Sequence, residues 1–174
     1  RPVAGTLAGD MTADAAMTIL LVADHRFEQS ADDVFALSID AERFPPTFTG
    51  YGPIPAMRRI VLLGPVAAGS EREIHNADGT VLHERITALR APLHHAYTLS
   101  GFRAPFAWLV RAGHADWQFQ PLQRGTRVTW TYRFEPATRT ARPFASLLLR
   151  RCLQPAMQRC LRNLQAALEG RPPG

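Results

Sequence analysis

Lysine is absent from this chain of 174 residues, and all 20 of its basic side chains are arginine. No flexible ammonium is therefore on hand to meet a ligand carboxylate as a point charge. Cysteine is scarce: Cys152 and Cys160 are the only two, eight positions apart. On one helix that spacing gives about 12 Å of rise, against the ~7 Å between Cα atoms that a disulfide needs. Both read as reduced core residues of a cytoplasmic protein. Long apolar runs are missing too. The stretch Met17 to Ala23 is followed by Asp24, His25 and Arg26, too short for a membrane span or a signal. Glycine-rich phosphate loops, a Ser/His/Asp motif and internal repeats are all lacking. Six histidines are present, but none has the spacing of a metal site, and strand alternation sends His94 and His95 to opposite faces. No metal and no cofactor are expected.

What is present describes one globular domain. Hydrophobic residues make up 46% of the chain, enough for a single core. Residues 1–16 are small, Ala-rich and aperiodic, and read as a disordered or loosely packed extension, with Met11 or Met17 as the natural start. Residues 170–174 read as a flexible tail around a domain at 17–169. The sequence pI is about 10.2 and the formal charge +5. The exclusive use of arginine points to a GC-rich genome. The localised part of the excess lies in the C-terminal segment, where Arg139, Arg142, Arg150, Arg151, Arg159 and Arg162 face only Glu169. That segment reads as a solvated basic face, with membrane-surface or partner contact as the other reading. Arginines near Trp130 alternate with aromatics as a strand requires, so nucleic-acid binding is not expected.

Periodicity supplies the elements. Thr18 to Gln29 alternates as a strand, and Ser30 with Asp33 opens a short helix that Phe44-Pro45-Pro46 ends, before a loop or broken second helix. Six strands are expected after Ala56, over 57–63, 70–76, 80–89, 93–102, 112–120 and 126–135, joined by short turns. A helix of about seven turns, Pro143 to Glu169, follows. Its stripe of Leu149, Leu153, Ala156, Met157, Cys160, Leu164 and Leu168 needs a cover, while Gln154 and Gln158 fall on the polar side. Pro155 sits mid-helix and should bend it. The fold class is α+β: a curled seven-stranded antiparallel sheet wrapped around one long helix, with two short helices between strands 1 and 2. A cavity is expected between sheet and helix.

One hairpin can be registered from sequence. With Gly79 in the left-handed position of an Ala77-Asp78-Gly79 loop, Ile74 pairs with Leu82, Arg72 with Glu84 and Glu73 with His83. Extending that face places Ile86 opposite Tyr97, with His95 and Leu99 beside it. The aromatic strands turn Trp117, Trp130 and Tyr132 toward the helix. Between Phe102 and Gly113 an apolar loop carries Phe106 and Trp108 as a mouth or lid.

The run Gly69-Ser70-x-Arg72, the turn Asp78-Gly79, then Glu84-x-Ile86, Tyr97 and Gly125-Thr126-Arg127-Val128-Thr129-Trp130 resembles the polyketide cyclase/dehydrase branch of the START-like (SRPBCC) superfamily. That superfamily includes plant abscisic-acid receptors and the birch-pollen allergen. The resemblance covers residues 17–169. It implies a helix-grip fold whose cavity takes a hydrophobic or amphipathic small molecule, with the residue at Glu84 helping to bind the ligand's polar end and loops acting as gates. Two functions follow as expectations. One is carriage of a lipid, isoprenoid, quinone or aromatic metabolite, the ligand touching Arg72, Glu84, Tyr97, Leu99, Trp117, Trp130, Met157 and Cys160 under a lid of Phe48, Tyr51, Phe106 and Trp108. The other is cyclisation or dehydration with Glu84, His95 or Tyr97 as general acid or base. Binding is the preferred reading, and the oligomeric state is left open.

Overall fold

The computed structural model describes residues 17–172 and 174, so the extension expected at 1–16 lies outside the described residues. Strand β1, Ile19–Phe27, buries Ile19, Leu21, Ala23 and Phe27 and exposes most of the residues between them. The first helix, Ala31–Ile39, starts where the Ser30 hydroxyl accepts the amide of Asp33 at 3.2 Å, the capping contact its sequence offers. Phe44 and the prolines after it hold only a 3-10 turn, Pro45–Thr47, which is the expected broken second helix. Strands β2 (Met57–Leu62), β3 (Glu71–Asn76), β4 (Val81–Arg90), β5 (His94–Ser100), β6 (Val110–Pro121) and β7 (Thr126–Pro136) then form the rest of one sheet. Its order is β1-β7-β6-β5-β4-β3-β2, with every neighbour antiparallel.

The expected hairpin register is the observed one. Arg72 pairs with Glu84, Glu73 with His83 and Ile74 with Leu82, and Ile86 stands opposite Tyr97. Gly79 closes the turn at φ 83°, a backbone conformation that glycine adopts without steric cost.

The long helix runs over residues 142–168 and is not α-helical throughout. Leu149–Leu153 forms a π-turn between α-helical Arg142–Leu148 and Gln154–Leu168. At its end the Gln154 amide reaches the Leu149 carbonyl, five residues back. Pro155 comes next and has no amide to donate, so the wider turn gives its ring room where an α-turn would press it onto the Arg151 carbonyl. The expected bend at Pro155 takes the form of this π-turn.

The helix seats on the sheet's edge as well as on its concave face. Leu149, Leu153, Ala156, Met157, Cys160, Leu161 and Leu164 are buried. Gln154 and Gln158, expected to be solvated, instead donate their side-chain amides to the carbonyls of Val22 at 3.1 Å and Asp24 at 2.9 Å. Strand β1 is an edge, so these outward carbonyls have no neighbouring strand, and the helix supplies their donors. The fold matches the helix-grip arrangement expected. Asn163, buried beside this seam, holds the Thr47 carbonyl at 3.0 Å and accepts the Gly174 amide at 3.0 Å.

Candidate functional site

Because the helix packs so tightly against β1, it leaves space over the opposite half of the curled sheet. There lies a cavity of about 290 Å³. Its floor is aromatic: Tyr97 on β5, then Trp130, Tyr132 and Phe134, every second residue of β7. Leu82, Leu99 and Ile74 extend the wall, and Leu148 and Leu153 close it from the helix. Its mouth is built from the segment Phe48 to Met57 and the loop Phe102 to Leu109. Gly113 makes room for the floor: a Cβ there would lie 2.7 Å from the rings of both Tyr132 and Phe134.

A polar cluster meets this apolar wall at Glu84. The side chain is 5% exposed and lines the cavity. Its Oε1 accepts both Nε and Nη2 of Arg72 at 2.5 Å, while its other oxygen has no partner among the described residues. Arg72, 3% exposed, lies behind Glu84 and also donates Nη2 toward His95 Nε2 at 3.4 Å. A neutral imidazole accepting at Nε2 carries its proton on Nδ1, and that atom is buried without a partner. The electrostatics follow from the burial. Desolvation raises the Glu84 pKa against the opposing pull of Arg72. Burial first, then the Arg72 charge, lowers that of His95 to about 3, so the ring is neutral at pH 7. Tyr97 and Tyr132 are pushed up, chiefly by burial, and stay protonated. The cluster is therefore a neutral ion pair backed by a neutral ring, offering one carboxylate oxygen to the cavity.

The structure sorts the residues singled out from the sequence. Glu84, Tyr97, Leu99, Trp130, Phe48 and Phe106 line the cavity. Arg72 and His95 do not: Arg72 lies behind Glu84, and His95 contacts Arg72 and packs against the Tyr97 ring at 5.2 Å. Trp117 also lies elsewhere: on the same face of the sheet, it stacks on Trp130 at 4.3 Å and meets Phe44, buried beside the floor. Met157 and Cys160 are fully buried outside the cavity lining; the Cys160 thiol contacts the hydroxyl of Thr47 in the 3-10 turn at 3.5 Å, and burial pushes it up to about 12. The stripe that named them is one continuous surface in sequence, but only its N-terminal end overlies the cavity. Tyr51 turns out of the mouth and carries Arg159 over its ring at 5.2 Å, and Trp108 points to solvent. Sequence reasoning passed over Phe44, Leu153, Leu148 and Arg103 as cavity residues. The apolar loop signal pointed to the vicinity of Arg103 and the helix stripe included Leu153, but nothing in the sequence marked Phe44 or Leu148 as lining.

No group of His, Cys, Asp or Glu among the described residues is arranged to hold a metal ion. No described helix is long and apolar enough to cross a membrane.

No curated protein sequence matches the chain. Among solved structures, the di-domain ARO/CYC StfQ from the steffimycin biosynthetic pathway superposes with a TM-score of 0.71 at 16% identity, over 94% of this chain and 55% of that one. Ara h 8.0201 superposes with a TM-score of 0.68 at 13% identity, over 88% of this chain and 99% of that one. A protein from Arthrobacter aurescens gives 0.62 at 19% identity, over 90% of this chain and 88% of that one. Likeness at such identities establishes the fold. The model of the family described as "Polyketide cyclase / dehydrase and lipid transport" matches residues 21–169, nearly the whole domain whose strands, helix and cavity are set out above, and the chain belongs to that family.

Proposed function

We propose that the protein binds a compact hydrophobic or amphipathic small molecule in the cavity, with the polar end of the ligand donating a hydrogen bond to Glu84. The observation that carries this reading is the contrast within the wall: mostly apolar and aromatic side chains, and one buried carboxylate whose second oxygen has no partner among the described residues. A cavity of about 290 Å³ lies near the lower edge of the ~300–1,000 Å³ typical of small-molecule pockets, which suits an aromatic or short isoprenoid body. Arg72 and Glu84 neutralise each other and Arg103 is exposed in the outer loop, so the buried end of the cavity favours a neutral donor such as a phenol, enol or alcohol over a carboxylate. Native mass spectrometry of protein purified from its own host tests this. An apolar molecule should co-purify and be lost in Leu99→Trp, which fills the cavity; an empty wild-type protein that also refuses neutral aromatic probes contradicts it.

A second reading, cyclisation or dehydration, is favoured by one observation. Burial raises the pKa of the Glu84 carboxyl, and a carboxyl raised in this way can give and take protons. The likeness to StfQ supports the same reading by analogy only. His95 is set back behind Arg72 and packs on the Tyr97 ring, so its part in either function is to position those two residues. Product formed from an added polyketide-like substrate, and lost in Glu84→Gln with ligand binding retained, would favour catalysis; ligand recovered unchanged favours carriage.

A further inference from the structure

The large apolar side chains that are least covered sit next to residues that line the cavity. Trp108 is 71% exposed, Phe144 68% and Leu147 58%. Trp108 lies between Phe106 and Leu109, and Leu147 precedes Leu148; those three neighbours all line the cavity. The loop is anchored to the chain just before the helix, where the Ala137 amide donates to the Leu109 carbonyl at 2.8 Å. Phe144, Leu147 and Arg151 follow at i, i+3 and i+7, one outward stripe. Around them Arg103, Arg139, Arg142, Arg150 and Arg151 are exposed. None has a carboxylate partner among the described residues, where arginine forms ion pairs only as Arg72–Glu84, Arg127–Asp24 and Arg171–Glu169. Between Pro136 and Leu168 the chain has no acidic residue at all.

Exposed Trp, Phe and Leu beside unpaired arginines make a surface with two complementary needs, an apolar depth and negative charge. We propose that this rim docks on an anionic membrane surface, with Trp108, Phe144 and Leu147 entering the headgroup boundary and the arginines meeting lipid phosphates. The charge selects this occupant over a second copy of the chain, because a two-fold contact through the patch would bring arginines against arginines. Docked in this way, the cavity mouth faces the bilayer, where an apolar ligand partitions. The proposal does not depend on the ligand-binding reading, and it is tested with vesicles holding no ligand.

The experiment is flotation with vesicles of phosphatidylcholine containing a minority of phosphatidylglycerol, against phosphatidylcholine alone, with tryptophan emission read in parallel. Trp117 and Trp130 are buried, so a blue shift on vesicle binding reports Trp108. The full-length protein should float with the anionic vesicles, be released by salt and show the shift. Arg150→Gln/Arg151→Gln should weaken binding about fivefold for each arginine removed, and Phe144→Ser/Leu147→Ser should abolish it. Circular dichroism should show both variants folded, since all four side chains are exposed. Leu99→Trp should lose cavity ligands yet still dock, so failure of docking and failure of ligand binding are separate results. No flotation on anionic vesicles, equal binding to phosphatidylcholine alone, or binding indifferent to the rim substitutions overturns the proposal. So does a concentration-dependent dimer, or capture of an acidic protein, that buries Trp108 in place of vesicle binding.

Discussion

His95 is neutral in the folded protein because burial and the neighbouring Arg72 guanidinium both oppose its charge. Unfolded, it protonates near pH 6.5; folded, only near pH 3. Between these values the unfolded chain binds a proton that the native one refuses, so this residue's contribution to stability is complete above about pH 6.5 and is lost as pH falls toward 3. The slope is at most about 1.4 kcal/mol per pH unit. Glu84 works in the opposite sense, because its raised pKa makes its contribution fade as pH rises through the folded value. Urea denaturation at several pH values should show a shallower acid loss in His95→Asn than in the wild type. An identical slope would mean that His95 titrates freely. The Arg72–Glu84 pair gives a second residue-scale prediction. Removing one partner, as in Glu84→Leu, strands a buried guanidinium and should cost about 3–5 kcal/mol, whereas Arg72→Met/Glu84→Leu should recover most of that loss. If the double variant is as unstable as the single one, the pair is not a self-contained neutral unit.

Among the elements, the long helix sets the shape of the cavity. Its π-turn at Leu149–Leu153 places Leu153 and the preceding Leu148 over the aromatic floor, while the α-helical part from Gln154 onward locks onto β1 through Gln154 and Gln158. Pro155→Ala restores an amide and lets an α-turn run through, rotating the N-terminal part relative to the rest. Affinity for an apolar probe should then change several-fold, with Tm moving by less than about 4 °C, equivalent to under ~1 kcal/mol in a domain of this size. Slow amide exchange at residues 151–156 like that of the wild type, with unchanged affinity, would contradict this. On the sheet, Gly113→Ala should push Tyr132 and Phe134 into the cavity and weaken the same probe.

These elements also show what could be read in advance. Strand alternation and the Asp78-Gly79 turn placed Arg72 opposite Glu84 and Tyr97 opposite Ile86, because each pairing is local or one hairpin away. The cavity's helical wall was not legible. Met157 and Cys160 lie on the same apolar stripe as Leu153, and only the tilt of the helix toward β1 decides which of them meet the sheet tightly and which face a void. That tilt depends on Gln154 and Gln158 finding backbone carbonyls more than 100 residues away in sequence. Helical periodicity alone assigned those glutamines to solvent.

For the molecule as a whole, a curled sheet that grips one half of a helix and stands off from the other leaves a largely apolar chamber in which Glu84 is the one buried carboxylate among the described lining residues. Leu99→Trp should remove probe binding while leaving the fold intact, since its side chain only projects into open space. The central claim, that the chamber selects a neutral donor through Glu84, is tested most directly by displacing the neutral fluorophore N-phenyl-1-naphthylamine with 2-naphthol, naphthalene and 2-naphthoate. A hydrogen bond to a charged acceptor is worth about 1.5–3 kcal/mol, so the wild type should prefer 2-naphthol to naphthalene by about tenfold or more and bind 2-naphthoate weakest. Tighter binding of 2-naphthoate, or no difference between 2-naphthol and naphthalene, would contradict the account.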